Sequence, residues 1–174
     1  ETVYGLGADA TNESAVKAIY AAKGRPSFNP LIAHVSSVEM AKDYVEWSEA
    51  ADVLASAFWP GPLTLVLPLK PNSAIAPTVT AGLDTLAIRL PAHPLAQKLL
   101  EHTGRPVAAP SANPSGRISP TTAEHVFEGL NGKVDVILDG GPCEVGLEST
   151  IVGLAPTPTI LRPGSINESD LETI

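Results

Sequence analysis

The sequence predicts one α/β domain built on a mixed parallel and antiparallel sheet, and three observations support this prediction. Short apolar runs of strand length alternate with segments of helical periodicity. Some of these runs follow one another with no helix between them, which favours a mixed sheet over a purely parallel one. The 174 residues contain no repeat, low-complexity tract or linker, and this length is typical of a single domain.

The first half of the chain combines polar helix caps with strand-length apolar runs. The predicted elements are a helix capped by Asn12 and ending near Lys23, a strand at 30–35, helices at 37–44 and 48–58, and strands at 63–69 and 85–90. Ala15, Ile19 and Ala22 are predicted to share one face of the first helix. The Trp-Pro-Gly-Pro sequence at 59–62 ends the third helix, and 70–82 is a polar excursion containing proline.

The second half of the chain is richer in turn residues. The predicted elements are a helix at 93–103 ended by Gly104, a strand at 107–109, a loop at 110–117, a helix from Ser119-Pro120 to about Gly129, a strand at 134–138, a glycine-rich loop at 139–147, a hairpin of 149–154 with 159–161, and a final helix capped by Asn167. Helices and strands thus interleave to the end of the chain.

Composition and charge narrow the functional class. The formal net charge of −8 argues against broad binding to a nucleic acid backbone, which relies on lysine and arginine. Four of the five arginines nevertheless lie within two residues of a proline: Arg25, Arg89, Arg105 and Arg162. Cations on stiff loops meet anions more often than cations on helix surfaces do. An acidic chain with arginines gathered on loops therefore predicts a local anion site.

Four loop segments concentrate the candidate chemistry, and each also has a plain structural reading. They are 23–26, with two cations around a glycine, and 110–116, 146–150 and 162–164. The first could be a helix end with favourable charges or a phosphate clamp, and the others could be turns or ligand contacts. His34 could touch a substrate at the end of a strand, whereas His93, His102 and His125 are predicted to be surface or capping residues.

Several familiar catalytic arrangements are missing from the sequence. It has no P-loop, no G-x-G-x-x-G after a strand, and no cysteine and histidine spacing suited to zinc, so we expect no structural metal. The lone Cys143 is interpreted as a packed thiol rather than a nucleophile, and it suits a reducing cytoplasm. Catalysis is therefore expected to rest on the orientation of reactants and on electrostatic stabilisation.

Six motifs, in order and at approximately matching spacing, carry a family resemblance over essentially the whole chain. They are Thr-Val-Tyr-Gly-Leu-Gly at 2–7, Lys-Gly-Arg-Pro through Asn-Pro-Leu at 23–31, Trp-Pro-Gly-Pro-Leu-Thr at 59–64, Ser-Ala-Asn at 111–113, Gly-Leu-Glu-Ser-Thr at 146–150 and Arg-Pro-Gly at 162–164. The chain resembles the YrdC-like threonylcarbamoyl-AMP synthases. The resemblance implies a twisted mixed sheet with surrounding helices and a large cationic cavity.

The resemblance also implies an activity and its ligands. A nucleotidyltransferase of this family joins L-threonine, bicarbonate and ATP into L-threonylcarbamoyl-AMP and pyrophosphate, and a partner transferase modifies adenosine 37 of tRNA. The implied threonine-binding residues are Thr2, His34, Arg89, Ala109 and Ser149. The implied ATP-binding residues are Arg25, Asn29, Thr85, Ser111, Asn113, Ser119 and Arg162, with Lys23 and Arg25 acting electrostatically. Mg²⁺ is expected with ATP, held mainly by phosphates and water.

Members of the family carry a strand and a Pro-Thr pair ahead of the position of Glu1, and longer members continue into a second domain. We therefore expect 1–174 to be a single YrdC-like domain whose first strand is missing. A further domain beyond residue 174 is possible in the intact protein. Two other functions stay open. One is an RNA-binding module, which the charge and the 5% aromatic content disfavour. The other is the carbamoyl-adenylate-forming domain of hydrogenase maturation proteins.

Overall fold

The computed structural model describes all 174 residues. Its strands are Ala8–Asp9 (β1), Ile32–His34 (β2), Leu63–Pro68 (β3), Thr85–Arg89 (β4), Val107–Ala108 (β5), Thr150–Gly153 (β6) and Thr159–Arg162 (β7). Its helices are Glu13–Lys23 (α1), Val38–Tyr44 (α2), Glu49–Phe58 (α3), Pro77–Thr80 (α4), Pro94–Thr103 (α5), Ala123–Leu130 (α6) and Glu168–Glu172 (α7). None of these helices combines the length and apolar character needed to cross a lipid bilayer.

All seven strands form one sheet in the order β1-β5-β2-β4-β3-β6-β7. The pairs β2–β4 and β3–β6 are parallel, and the other four pairs are antiparallel. The prediction of a mixed sheet is confirmed. β6 and β7 form the predicted hairpin, although a register irregularity lies between Ile151 and Val152.

The two faces of this sheet differ sharply in burial. Side chains alternate between faces along a strand, so residues in register across the sheet share a face. One face belongs to the main hydrophobic core and is fully enclosed; it carries Ala33, Leu65, Ile88, Ala108 and Val152. The other, which we call the open face, is half-buried at Ile32, Val66, Ala87, Ala109 and Ile151, although Thr64 and Arg89 on the same face are buried. The open face is the part of the sheet that a ligand can reach.

Local capping signals explain where most helices begin and end. The side chain of Asn12 accepts hydrogen bonds from the backbone N–H groups of Ser14 and Ala15, both at 3.1 Å, and α1 ends at Gly24 with a φ of 61°. Ser37, Ser48 and His93 cap α2, α3 and α5 in the same way. These starts are as predicted, because each depends on residues adjacent in sequence.

The buried face predicted for α1 is wrong in part. Ile19 is buried as expected, but its buried neighbours are Val16, Tyr20 and Lys23, whereas Ala15 and Ala22 are only half-buried. The helix rotates toward its larger side chains because they remove more apolar area from water than alanine does.

The helix predicted from Ser119-Pro120 begins instead at α6, capped by Thr122. The groups that would have started it earlier are engaged elsewhere in the fold. The Pro120 carbonyl accepts from the backbone N–H of Tyr4 at 2.9 Å, and the Ser119 hydroxyl donates to the carboxylate of Glu148 at 2.6 Å. Tertiary contacts therefore override a local helix-start signal.

The strand predicted at 134–138 is also wrong. This segment is irregular and pairs with no strand, and Val136 and Leu138 are 73% and 47% exposed. An apolar run becomes a strand only where a neighbour pairs with its backbone groups. Two short elements, β1 and α4, were not predicted, and α4 lies inside the excursion at 70–82.

Candidate active site

The central strands bring four of the predicted threonine- and ATP-binding residues onto the open face. His34 at the end of β2 lies opposite Arg89 at the end of β4. Ala109 follows β5, and its backbone N–H donates to the carbonyl of Ile32 at 3.0 Å. Thr85 begins β4 and shares the face of Arg89, four residues later. The sheet register thus gathers residues from three separate segments.

The outer strands add Ser149 and Arg162 to the same face. The side chain of Arg162 binds the residue before β6, since its Nε and Nη2 donate to the Ser149 carbonyl at 3.1 and 2.9 Å. Nη2 also donates to the Ser149 hydroxyl at 3.1 Å, and that hydroxyl lies 2.7 Å from the hydroxyl of Thr64 on β3. Three of the six motifs therefore meet at Ser149.

Arg89 is almost enclosed, and every nitrogen of its guanidinium has a partner. Nε donates to the Gly61 carbonyl at 2.9 Å, Nη1 to the hydroxyl of Thr2 at 3.0 Å, and Nη2 to the carboxylate of Glu1 at 2.5 Å. Burial lowers the pKa of Arg89, and the Glu1 carboxylate partly offsets that effect. Thr2 and Arg89 are in direct contact, although their proposed role in binding threonine stays a prediction.

Lys23 joins two of the predicted phosphate-binding loops. Its buried ammonium donates to the carbonyls of Ser111 and Asn113, and its own carbonyl accepts from the backbone N–H of Ser115 at 2.8 Å. Burial, assisted by the charge of Arg25, lowers the pKa of Lys23 to about 8. Two of its three N–H donors are thus committed to the fold.

Asn113 shapes its own loop. Its side-chain amide donates to the carbonyls of Pro114 and Arg117 at 2.9 and 2.8 Å. Ser119 lies farther along the same loop and donates to Glu148 at 2.6 Å. Burial lowers the pKa of Arg162 and the charge of Glu148 raises it, so Glu148 interacts with both Ser119 and Arg162.

Arg25 completes a chain of mutually interacting cations. Its Nη2 donates to the Pro30 carbonyl at 3.2 Å, while the carbonyl of nearby Asn29 accepts from the Tyr20 hydroxyl at 2.7 Å. After burial, the charge of Arg25 contributes to lowering the pKa of both Lys23 and Arg162, and the charge of Arg162 contributes to lowering that of Arg89. Like charges that influence one another in this way are typical of an anion-binding site.

Unsatisfied polar atoms coincide with the predicted site. Four buried side-chain atoms have no hydrogen-bond partner: Nε of Arg25, Nδ1 of His34, Oδ1 of Asn113 and Oγ of Ser165. Three of the four belong to residues predicted from the sequence to bind threonine or ATP. Buried polar groups are nearly always hydrogen-bonded in folded proteins. Unpaired donors and acceptors at these positions favour a polar ligand.

His34 is expected to stay neutral at physiological pH. Burial, assisted by the charge of Arg89, lowers its pKa to about 3 from an ordinary value near 6.5. Between these values the unfolded chain binds a proton that the folded chain does not. The free energy of unfolding should therefore fall, by up to about 1.4 kcal/mol per unit, as pH drops from 6.5 toward 3.

Urea unfolding across this range, compared between the protein and a His34→Asn variant, checks that slope, which the variant should lack. Nitrogen chemical shifts of the imidazole ring at pH 5 provide a direct reading. An imidazolium signal from His34 at pH 5 would contradict this prediction.

Gly164 lets the Arg162 loop approach the backbone before β6. A Cβ atom at this position would lie 2.5 Å from the Thr150 nitrogen and 2.6 Å from the Glu148 carbonyl oxygen, neither of which can swing aside. Gly164→Ala should therefore lower the free energy of unfolding by about 1–3 kcal/mol and displace Arg162 from Ser149. Thermal melts and ATP titration measure the two effects. Pro163→Ala, at the exposed neighbour, should cost less than about 1 kcal/mol, and equal melts for both variants would refute the packing argument.

No cluster of three or more histidine, cysteine or acidic side chains is arranged to hold a metal ion. The carboxylate of Glu148, whose charge acts on Arg162, accepts from the Ser119 hydroxyl. The expectation that Mg²⁺ is held mainly by phosphates and water stays a prediction. Cys143 is half-buried, and burial raises its pKa.

Four residues of this region were not predicted: Glu1, Thr64, Glu148 and Ser165. Thr64 and Glu148 lie inside motifs that were recognised in the sequence, and Glu1 directly precedes one. Their positions in or next to these motifs could therefore have identified them. Ser165 directly follows the Arg-Pro-Gly motif, and only its unpaired hydroxyl marks it.

Comparisons with known proteins match almost the whole chain. A family model named for Sua5, YciO and YrdC, and described as telomere recombination, matches residues 1–164. The threonylcarbamoyl-AMP synthases of Bacillus subtilis (strain 168) and Pyrococcus abyssi (strain GE5 / Orsay) are 53% and 52% identical over 176 and 177 residues. Each alignment covers 100% of this chain and 51% of the relative.

A solved structure extends the match to three dimensions. The crystal structure of P. abyssi Sua5 complexed with L-threonine superposes with a TM-score of 0.95 at 52% identity, over 99% of this chain and 51% of that one. The sheet and helices described above are therefore those of a known fold. The chain spans about half the length of the curated relatives it matches.

Proposed function

The chain belongs to the Sua5, YciO and YrdC family, and from this premise we propose that it carries the synthase site for L-threonylcarbamoyl-AMP. The reaction would join L-threonine, bicarbonate and ATP and release pyrophosphate. The observation that carries the proposal is that side chains of all six family motifs contact or influence one another around Arg89, Ser149 and Lys23, where cations repel one another and buried polar atoms lack partners. A polar, anionic ligand would relieve both conditions.

The cations are suited to the triphosphate. The guanidinium groups of Arg25 and Arg162 can each give paired hydrogen bonds to phosphate oxygens, and they offset the charge that builds on the α-phosphorus during attack. Other groups proposed to hold ATP are Asn29, Thr85, Ser111, Asn113 and Ser119. Lys23 keeps the loops of Arg25 and Ser111 in register through its two carbonyl contacts. Mg²⁺ bound to the phosphates would supply further charge neutralisation.

The amino acid is proposed to bind beside Arg89. The Thr2 hydroxyl accepts from Arg89, so its own proton is free for a substrate oxygen. His34 stays neutral, which leaves its unpaired Nδ1 available as a donor or an acceptor without adding charge. Ala109 leaves room on the sheet, and the Ser149 hydroxyl borders the same space. These four residues and Arg89 form the proposed threonine site.

No side chain needs to act as a nucleophile. The threonine amine and bicarbonate give a carbamate and water, and a carbamate oxygen then attacks the α-phosphorus and expels pyrophosphate. Both steps join bound reactants, so orientation can supply much of the rate acceleration. We also propose that a tRNA-modifying transferase consumes the product to modify adenosine 37. A cytoplasmic location is proposed because the lone Cys143 suits a reducing compartment.

Pyrophosphate release tests the proposal. It should require threonine, bicarbonate and ATP together, and omitting any one should reduce it to background. Release that needs carbamoyl phosphate in place of threonine and bicarbonate would indicate the hydrogenase-maturation reaction instead. RNA binding with a steep salt dependence and no pyrophosphate release would favour the RNA-binding alternative.

A further inference from the structure

Glu1 is the acidic partner of Arg89 and lies against the proposed threonine site. Both side chains are nearly enclosed, with exposures of 14% for Glu1 and 7% for Arg89, and their closest atoms are 2.5 Å apart. An exposed ion pair contributes little to the free energy of unfolding, but a buried one holds both groups in a defined geometry. The fold therefore fixes the positions of Glu1 and Arg89 relative to each other.

Both oxygens of Glu1 are engaged. Oε1 accepts from Nη2 of Arg89, while Oε2 accepts from the backbone N–H groups of Ala92 at 2.7 Å and His93 at 3.1 Å. Ala92 and His93 immediately precede α5, so the carboxylate bridges the end of β4 and the start of that helix. Rotation of the carboxylate would break at least one of these contacts.

Only some of the N–H groups of Arg89 are used within the protein. Nε, Nη1 and Nη2 each use one N–H on Gly61, Thr2 and Glu1. A guanidinium has five N–H groups, so one remains on each terminal nitrogen. Donors on the two terminal nitrogens of one guanidinium can pair with the two oxygens of a carboxylate, and we call these two N–H groups the fork. The direction of the fork depends on the groups that hold the other three donors.

Charge gives Glu1 a second effect on Arg89. Burial and the charge of Arg162 both lower the pKa of Arg89, whereas Glu1 raises it. Without Glu1, the guanidinium would lose the charge that offsets its burial and the influence of Arg162.

We propose that Glu1 is a positioning residue for amino-acid binding. It holds the Arg89 guanidinium in the orientation from which its two remaining N–H groups, together with the Thr2 hydroxyl, engage the substrate. This inference rests on the proposed function, because it takes the amino acid to be the ligand of Arg89. Glu1 does not itself touch the substrate.

Steady-state kinetics of Glu1→Gln in the intact protein test this role. Glutamine keeps the size of the side chain but removes the charge that holds Arg89. The KM for L-threonine should rise by about tenfold or more, while the KM for ATP stays within about twofold. Glu1→Asp keeps the charge and should recover part of the threonine affinity, and calorimetric titration with L-threonine gives the same ranking without turnover.

Asp9→Asn is the matched control, because Asp9 also accepts from an arginine, Arg105, and from a backbone N–H, that of Thr11. It should leave both KM values unchanged. An unchanged or lower KM for threonine in Glu1→Gln, or an equal rise in both KM values, would overturn the proposal. If the unaltered protein neither releases pyrophosphate nor binds threonine, the proposed function fails and this inference fails with it.

Discussion

Replacing Arg25 with alanine is expected to abolish ATP binding while leaving the fold almost unchanged. Nη2 of the guanidinium donates to the Pro30 carbonyl at 3.2 Å, and the buried Nε has no partner. Losing that contact should cost about 1 kcal/mol or less, and it also relieves repulsion with Lys23 and Arg162. Pyrophosphate release should fall by at least about 100-fold, because a charged donor near the reacting phosphorus is lost.

Calorimetric titration with a non-hydrolysable ATP analogue, together with a thermal melt, separates binding from stability in Arg25→Ala. Arg105→Ala is the matched control, since Arg105 is an exposed loop arginine paired only with Asp9 at 2.9 Å. It carries the same change in charge and should retain full ATP affinity. Unfolding of Arg25→Ala, with unchanged nucleotide affinity in the protein that survives, would reject the role assigned to Arg25.

Replacing Lys23 with methionine is expected to remove activity and part of the stability together. Methionine fills a similar volume but cannot donate, so the carbonyls of Ser111 and Asn113 lose a buried donor. The free energy of unfolding should fall by about 1–3 kcal/mol, and activity should fall by at least about 100-fold because the loops carrying Arg25 and Ser111 separate. Urea unfolding and pyrophosphate release measure the two losses. Lys98→Met, at an exposed lysine of α5, should show neither.

The pH dependence of stability and activity provides a second test of the role of Lys23. Its pKa of about 8 lies below the ordinary lysine value, so the unfolded chain binds more protons than the folded chain between about pH 8 and 10.5. The free energy of unfolding should therefore rise with pH through this window, while activity falls as the ammonium is lost. Lys23→Arg, which stays charged, should lack this alkaline decline. A decline of equal size in Lys23→Arg would assign it to another group.

The prediction of the site from sequence depended on motifs, and the structure explains why it could succeed. Lys23 and Ser111 are far apart in the chain, yet they meet because α1 ends where the Ser-Ala-Asn loop leaves β5. His34 and Arg89 are brought opposite each other by strand pairing. Composition indicated only an anion site on loops. Recognising the motifs was needed to assign the residues to two ligands.

The hydrogen-bond partners of Arg89 and Lys23 could not be predicted from motifs. Arg89 was predicted only to bind threonine, and three of its donors are used by Gly61, Thr2 and Glu1. Lys23 was expected to act on ATP by its charge, but two of its donors hold backbone carbonyls. These partners come from distant segments, and no local pattern in a sequence identifies the partner of a long side chain.

The sequence by itself determined the α/β class, the mixed sheet and most helix starts. Caps such as Asn12 and Ser37 act on backbone groups within four residues, and apolar periodicity follows from local geometry. Only the tertiary structure decided that α6 starts after Pro120, that 134–138 is not a strand, and which cations face one another. Each of these depends on a contact between segments distant in the chain, and the energy of such a contact exists only once the chain has folded.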